Sequence, residues 1–394
     1  MKKKIKLITL AAGEGLRLRD YSKKNNLPKP LISILNKSMI QWSVDSYAPF
    51  ITQGLISRSD LYFVVLKEHN QNYSISDQLI SMFGKQIKII ELPKLTRGPA
   101  ETAYHASLKI KEKNYSVIFN DCDHYFSSNM FLKTTLSTDL TKISGIINVA
   151  NTNSNKPEWS YVEMDNEGNL KSIKEKDITL AKNGAQGVIA AYYFSKVSTF
   201  KEEAKLMISE NDKVGKKKQK EFFISKIYDR LIKKKHKFRV IKSGYAFPLG
   251  TPEQIKKFLK SYKKNFFYPE ASTLIFDIDG VIFEHDKGFN STKGKYTYPT
   301  NEITKNVNFL RDRYNLGDNI VLMTARPEIE KSNLLRELSQ KKIPFTKLIM
   351  GLSGGPRILI NDKKPLKKIK TALAIQTKRN QYYNFDKFFK KNKI

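Results

Sequence analysis

IKLITLAAGEGLRL, residues 5–18, decides how the rest of the chain is read. A run ending at Leu10, apolar except for Lys6 and Thr9, passes at once into Ala11, Ala12 and two glycines, Gly13 and Gly15. An apolar run of that length stopped by glycine is the pattern of a buried strand entering a tight turn. Comparable runs recur at 61–66, 87–92, 116–119 and 143–149, with a helix-like segment at 100–111. Strands and helices in alternation imply a doubly wound, mainly parallel α/β sheet. Ligands in such sheets sit beyond the carboxyl ends of the strands, so residues just after each run are the candidates for chemistry.

The pattern restarts late in the chain. A helix-like stretch follows Gly250-Thr251-Pro252 to about residue 264, and new strand candidates lie at 273–278, 320–323, 347–350 and 357–360. Helices are expected from about Thr304 and Glu328. The boundary falls near Ala271, giving domains at 1–264 and 271–394, both doubly wound, mainly parallel α/β. At 394 residues the chain exceeds what one hydrophobic core usually serves.

A hydrophobic share of 40% with 11% aromatic residues argues against long disordered tracts. Cys122 is the only cysteine, which rules out an internal disulfide and suits a reducing compartment. Lysines before an apolar stretch at the start imitate a signal peptide, but Lys6 interrupts the run and glycines end it. No segment is long and apolar enough to span a bilayer, and a cytoplasmic protein without membrane partners is expected. The formal net charge of +33 is carried mainly by lysine spread over every region. Runs such as 216–220 and 233–237 read as solvated faces, and with no nucleic-acid module in sight a general lysine bias explains the charge.

Gly13 and Gly15 would let backbone amides approach a phosphate, Arg17 offers a bidentate fork, and Lys29 stands held between Pro28 and Pro30. In this order, LAAGEGLRL and PKPL resemble the nucleotidyltransferases that activate sugar 1-phosphates, whose opening reads LAAGxGTRL followed by PKPL. The resemblance continues through FNDCDHYF, where Asp123-His124 is similar to the family's Asp-His variant, TRGPAET at 96–102, Glu175-Lys176, and GTPE at 250–253. It implies a Rossmann-like fold in which Leu10, Ala12, Gly13, Gly15, Arg17, Lys29 and Gly98 line a nucleoside triphosphate site. It further implies that Asp123 binds Mg2+ and that Glu175 and Lys176 meet the phosphorylated acceptor. Two positions depart from the family. Leu16 replaces a threonine, and Pro248 stands where a second metal-binding aspartate is often found. A single ion, substitution by Asp121 or another carboxylate, or conversion to a binding module are the alternatives that Pro248 leaves open. Asp121 could equally cap the turn.

LIFDIDGV puts Asp277 and Asp279 on one side of a strand end. It resembles the first motif of the haloacid dehalogenase superfamily, with Thr324 after IVLM matching the second motif and Asp362 after RILIN the fourth. The resemblance implies a phosphatase with a small cap or none: Asp277 as nucleophile, Asp279 as acid and base, and Mg2+ held by Asp277, Asp362 and the carbonyl of Asp279. Thr324 and a cation would hold the phosphoryl group. Lys347 and Arg357 are the candidates for that cation, Arg357 being favoured, and Asn361 stands where a second acid is common.

A bifunctional enzyme follows from the two resemblances, one domain trimming a phosphate and the other activating the remaining phosphorylated sugar, polyol or amino compound. Synthesis of surface-polysaccharide or lipopolysaccharide precursors is the setting they imply. The rival is a regulatory or scaffolding protein that binds nucleotide or phosphate without turnover, motivated by Pro248 and Asn361. The histidines lack paired metal spacing and read as packing residues, with His124 the exception worth following.

Overall fold

Alternation along the first strand sets up a two-sided core. A computed structural model of the chain describes residues 4–18, 27–35, 37–112, 114–152, 159–215, 220–264, 272–285, 289–290, 295–296, 298–315, 318–362 and 372–392. The lysine run at 216–219 and the boundary near Ala271 lie outside them. In β1 (Ile5–Leu10), Ile5 and Leu7 enter one apolar cluster while Ile8 and Leu10 enter another, as the two-residue period of a strand requires. β2 (Leu61–Leu66) repeats the division, Phe63 and Val65 against Val64 and Leu66. With β3 (Lys88–Leu92) and β4 (Ser116–Asp121) they form a parallel set in the order β3-β2-β1-β4. Residue 10 ends β1 directly beside Asp121, the last residue of β4.

Further strands of the first unit are β5 (His124–Phe126), β6 (Gly145–Ala150), β7 (Ser160–Met164), β8 (Leu170–Glu175), β9 (Gln186–Phe194), β10 (Phe238–Lys242) and β11 (Ala246–Pro248). β9 pairs antiparallel with β4, β6 and β7, carrying the sheet to nine strands in the path β8-β7-β9-β4-β1-β2-β3, with β6 and β10 branching from β9. The sheet is therefore mixed: parallel from β3 to β4, antiparallel where β9 joins β4, β6 and β7, and parallel again between β6 and β10. β5 and β11 form a separate two-stranded ribbon that places Pro248 opposite His124.

Helices cover both faces. α1 (Met39–Asp45) starts at Ser38, whose hydroxyl accepts from Gln41 N while Gln41 Oε1 accepts from Ser38 N. α2 (Pro99–Leu108) begins with proline at its first position, where no amide is needed. α3 (Val197–Ser209) and α4 (Ile224–Lys233) are tied by Glu203, which is 2% exposed and accepts from Arg230 Nε and Lys234 Nζ at 2.5 Å each.

The chain divides into two compact units, Met1–Tyr262 and Lys263–Ile394. In the second, β12 (Thr273–Asp277), β13 (Asn319–Met323) and β14 (Lys347–Ile349) form a parallel sheet in that order. Phe276, Leu310, Leu322 and Leu334 lie in its core. The strand expected at 357–360 does not form. Ile358 and Ile360 are 83% and 92% exposed, because an apolar β-prone run becomes a strand only where a neighbour offers a hydrogen-bonding edge. No helix among the described residues is long and apolar enough to cross a membrane.

Burial would raise the Glu203 carboxyl, but Lys234 and Arg230 outweigh it and hold it below the usual range. A depressed carboxyl contributes stability that is present above its unfolded value, about 4.5, and is lost as pH falls through the folded one. Glu203→Gln should lower the thermal midpoint at neutral pH, and the difference from wild type should shrink steadily once the pH drops below about 4.5.

Candidate functional site

A cation and a carboxylate far apart in sequence meet at the carboxyl end of the parallel strands. Pro28 is extended, and Lys29 opens a short 3-10 turn, Lys29–Leu31. Its ammonium lies 2.6 Å from Asp123 Oδ2, with both side chains mostly buried. Gly15 has a φ of +67°, and a Cβ built there would stand 2.7 Å from the Cβ of Lys29. The glycine turn and the Pro-Lys-Pro segment therefore pack directly on one another, which explains why the second glycine is required. Gly13 faces open space instead. Arg17, in the turn Leu16–Leu18, is exposed, and its charge acts on Lys29.

The end of β4 and the turn into β5 carry the acidic groups. Asp121, Asp123 and His124 each offer one ligand atom, all within 4.8 Å of one another. His124 Nδ1 lies 3.1 Å from Asp123 Oδ1 and 3.8 Å from Asp121 Oδ2. Burial would raise the Asp123 carboxyl, but Lys29 and His124 hold it well below the usual range. Asp121 is pushed up to about 6 by burial, with Asp123 adding to the rise and His124 opposing it. Burial would lower His124, yet the charge of Asp123 outweighs it and the imidazole is raised. Two carboxylates and an imidazole whose ring nitrogens are buried without hydrogen-bond partners form a donor set that fits a divalent cation.

A buried polar network fixes this turn from behind. Ser43 Oγ donates to the carbonyl of Asp121 at 2.6 Å, Asn120 Nδ2 donates to Ser43 Oγ at 2.8 Å, and Tyr47 OH donates to Asn120 Oδ1 at 2.9 Å. From the front, Leu249 N donates to the carbonyl of Asp123, and a Cβ on Gly250 would lie 2.6 Å from Asp123 Oδ2. The glycine of GTPE is thus needed to make room for the carboxylate. Pro248 pairs with His124. The position that departs from the family pattern is therefore at the site, and Asp121 and His124 supply donors beside it.

The other expected residues are placed variously. Leu10 and Ala12 are buried at the mouth of β1. Gly98, with a φ of +146°, would put a Cβ 2.5 Å from Phe222 N, so backbone packing alone accounts for that glycine. Glu175 accepts from Ser160 Oγ and, at 2.8 Å, from Ser225 Oγ, and its charge acts on Asp121. Lys176 adopts a φ of +52°, and its ammonium lies 4.8 Å from the centre of the Phe223 ring.

In the second unit, Asp277 ends β12 in register with Met323, which carries the chain into Thr324. Asp277 is raised by burial and by Asp279, against the pull of Arg357. Asp279 is gripped by Arg326, a fully buried residue that sequence reasoning missed. Arg326 Nη2 donates to Oδ1 at 2.7 Å, Nε to the same oxygen at 3.0 Å, and Nη1 to Tyr298 OH at 3.0 Å. Its position two residues after Thr324 was the available signal. The Thr324 hydroxyl donates to Asp279 Oδ2 at 2.8 Å, so here it positions the second aspartate. Lys347 is level with Val321 and Ile275, two residues short of the strand end that carries Asp277, and it is the charge of Arg357 that acts on Asp277. Asp362 is exposed, its amide donating to Asn361 Oδ1.

Fold and site together define an α/β protein in which a mostly buried lysine meets a carboxylate cluster at the carboxyl ends of parallel strands. The profile of the Nucleotidyl transferase family matches residues 6–265, and the chain belongs to that family. Among solved structures, the nucleoside-diphosphate-sugar pyrophosphorylase of Vibrio cholerae RC9 superposes with a TM-score of 0.50 at 18% identity, over 64% of this chain and 99% of its own. The inositol-1-phosphate CTP transferase of T. maritima gives 0.47 at 14% identity, over 68% and 99%. The likeness to the first concerns the fold. No curated protein matches the chain.

Gly250→Ala should leave the fold intact while displacing the Asp123 carboxylate. Calorimetric titration with Mn2+ should show binding weakened by at least about tenfold, with a thermal midpoint close to wild type.

Proposed function

We propose that the first unit transfers a nucleotidyl group from a nucleoside triphosphate to a phosphorylated sugar or related polyol or amino compound. The acceptor's phosphate oxygen forms a bond to the α-phosphorus, the bond from that phosphorus to the bridging oxygen breaks, and pyrophosphate departs. The attacking phosphate is already an anion at neutral pH, so positioning and charge neutralisation supply most of the rate. The observation that carries this reading is the Lys29–Asp123 contact at 2.6 Å, seated on Gly15.

In this reading, the amides after Leu10 and Ala12, with Gly13 and Gly15, receive the triphosphate, and Arg17 and Lys29 neutralise its oxygens. Gly98 keeps α2 close to the nucleotide side. Lys176 meets the acceptor phosphate beside Glu175. Asp123, with Asp121 beside it, would hold a divalent ion, Mg2+ in the family's usual form, which when bound neutralises phosphate charge.

For the second unit we propose a phosphomonoesterase of the haloacid dehalogenase type, spanning about 271–394. Asp277 attacks phosphorus and displaces an alcohol. Water then cleaves the aspartyl phosphate, with Asp279 supplying and accepting the protons. Arg357 faces the phosphoryl group, and Thr324 holds Asp279. Asp277, the Asp279 carbonyl and Asp362 would hold Mg2+, with Asp362 having to approach Asp277. The supporting geometry is Asp277 at a strand end beside Asp279, under the influence of Arg357. Consecutive steps in making a nucleotide-activated surface-polysaccharide precursor, in the cytoplasm, would bring both activities into one chain.

Phosphorus NMR of the protein with Mg2+, each common nucleoside triphosphate and a panel of phosphorylated sugars and polyols tests the first activity. Pyrophosphate should appear with one pairing, and Lys29→Met should slow it by about 10²-fold or more. Silence across the panel would favour a binding role. Asp277→Asn should abolish orthophosphate release and leave pyrophosphate release intact, whereas loss of both would refute independent sites.

A further inference from the structure

The turn that carries Asp123 leads directly into an imidazole for which the transfer reaction has no task. His124 is held on three sides. It pairs with Pro248 through β5 and β11, the Trp159 ring packs edge-on at 5.7 Å, and the Asp123 carboxylate lies against it. Its side chain is only 13% exposed, and both ring nitrogens are buried without a hydrogen-bond partner. An imidazole always has at least one N–H, and burying it unpaired costs on the order of 1–3 kcal/mol. Nδ1 nevertheless stands close to an oxygen of each neighbouring aspartate, at 3.1 and 3.8 Å. Lys29 occupies Oδ2 of Asp123, so it is Oδ1 that faces the ring. Two oxygens and one nitrogen therefore converge on one small volume, within 4.8 Å of one another.

We propose that His124 is a direct ligand of the divalent ion, so that this site prefers a first-row transition cation such as Mn2+ or Co2+ to Mg2+. This rests on the reading of Asp123 as the metal-binding residue of the transferase. Mg2+ favours oxygen donors and dehydrates reluctantly, whereas Mn2+ and the later divalent ions accept imidazole nitrogen. Once its proton is displaced by the ion, the His124 ring offers a nitrogen donor beside two carboxylates, a set that suits the second kind of ion. Asp121 and His124 then take up the coordination that Pro248 cannot provide.

The test uses Mn2+ as probe on the full chain without nucleotide, followed by electron paramagnetic resonance. The charge of His285 acts on Asp277, so the measurements are made in a His285→Gln background to exclude nitrogen from the second unit. Electron spin-echo modulation from a directly coordinated 14N is expected with His124 present and absent in both His124→Asn and His124→Gln. Mn2+ affinity should fall by at least about tenfold in these variants, and Mg2+ affinity, read by competition, should fall much less. Bound Mn2+ without 14N modulation, or modulation that survives both substitutions, would overturn the proposal while leaving the metal at Asp123. Unchanged Mn2+ binding in Asp123→Asn would instead remove the ion from this turn, and the transferase reading of Asp123 with it. Circular dichroism of each variant establishes that the fold persists.

Discussion

The ion pair between Lys29 and Asp123 is the contact on which the first unit's site depends. It joins segments 94 residues apart, and each partner is seated against a glycine, Lys29 on Gly15 and Asp123 beside Gly250. Side chains at either glycine would push the charges apart. Four short motifs scattered over the sequence thus reduce to one requirement, that a cation and a carboxylate be held in contact at the ends of parallel strands. A pair mostly removed from water loses hydration that its mutual attraction must offset, and breaking one partner leaves the other charged and buried. Such a pair is a poor source of stability and a good site for a polyanion and a metal ion, which can take over both charges.

The surroundings keep that arrangement rigid. Tyr47, Asn120 and Ser43 pass hydrogen bonds inward to the Asp121 carbonyl, and every link is buried. Low dielectric strengthens such a network and makes an unpaired member costly. The second unit uses a related device: Arg326 and Thr324 hold both oxygens of Asp279 and leave Asp277 at the strand end. In the first unit Lys29 and His124 hold Asp123 low while burial raises Asp121, so neighbouring acids are driven toward different protonation behaviour.

What could be read in the sequence follows from how local each signal is. β1, β2 and β4 are buried on both faces, so they appear as continuous apolar runs, and glycine or aspartate marks their ends. β7 and β8 carry exposed Glu163, Met164, Lys171 and Lys174 among their buried residues. The pairing of β8 with β7, and of β7 with β9, is a tertiary choice that no short window records. Lys29 and Asp123 were legible through motif order, yet that they touch was not. Gly98 illustrates the reverse, since its requirement is fully met by the Phe222 backbone. The run at 357–360 has strand composition and no strand, because pairing decides. Arg326 was invisible because a buried arginine looks like a surface one until its partner is placed.

A crystal of the protein with a non-hydrolysable triphosphate analogue and Mn2+ tests the central claim most directly. Anomalous scattering should place the ion against Asp123, with Arg17 and Lys29 contacting phosphate oxygens of the same triphosphate. A triphosphate bound away from Lys29, or an ion in a different cavity from Asp123, would contradict the account.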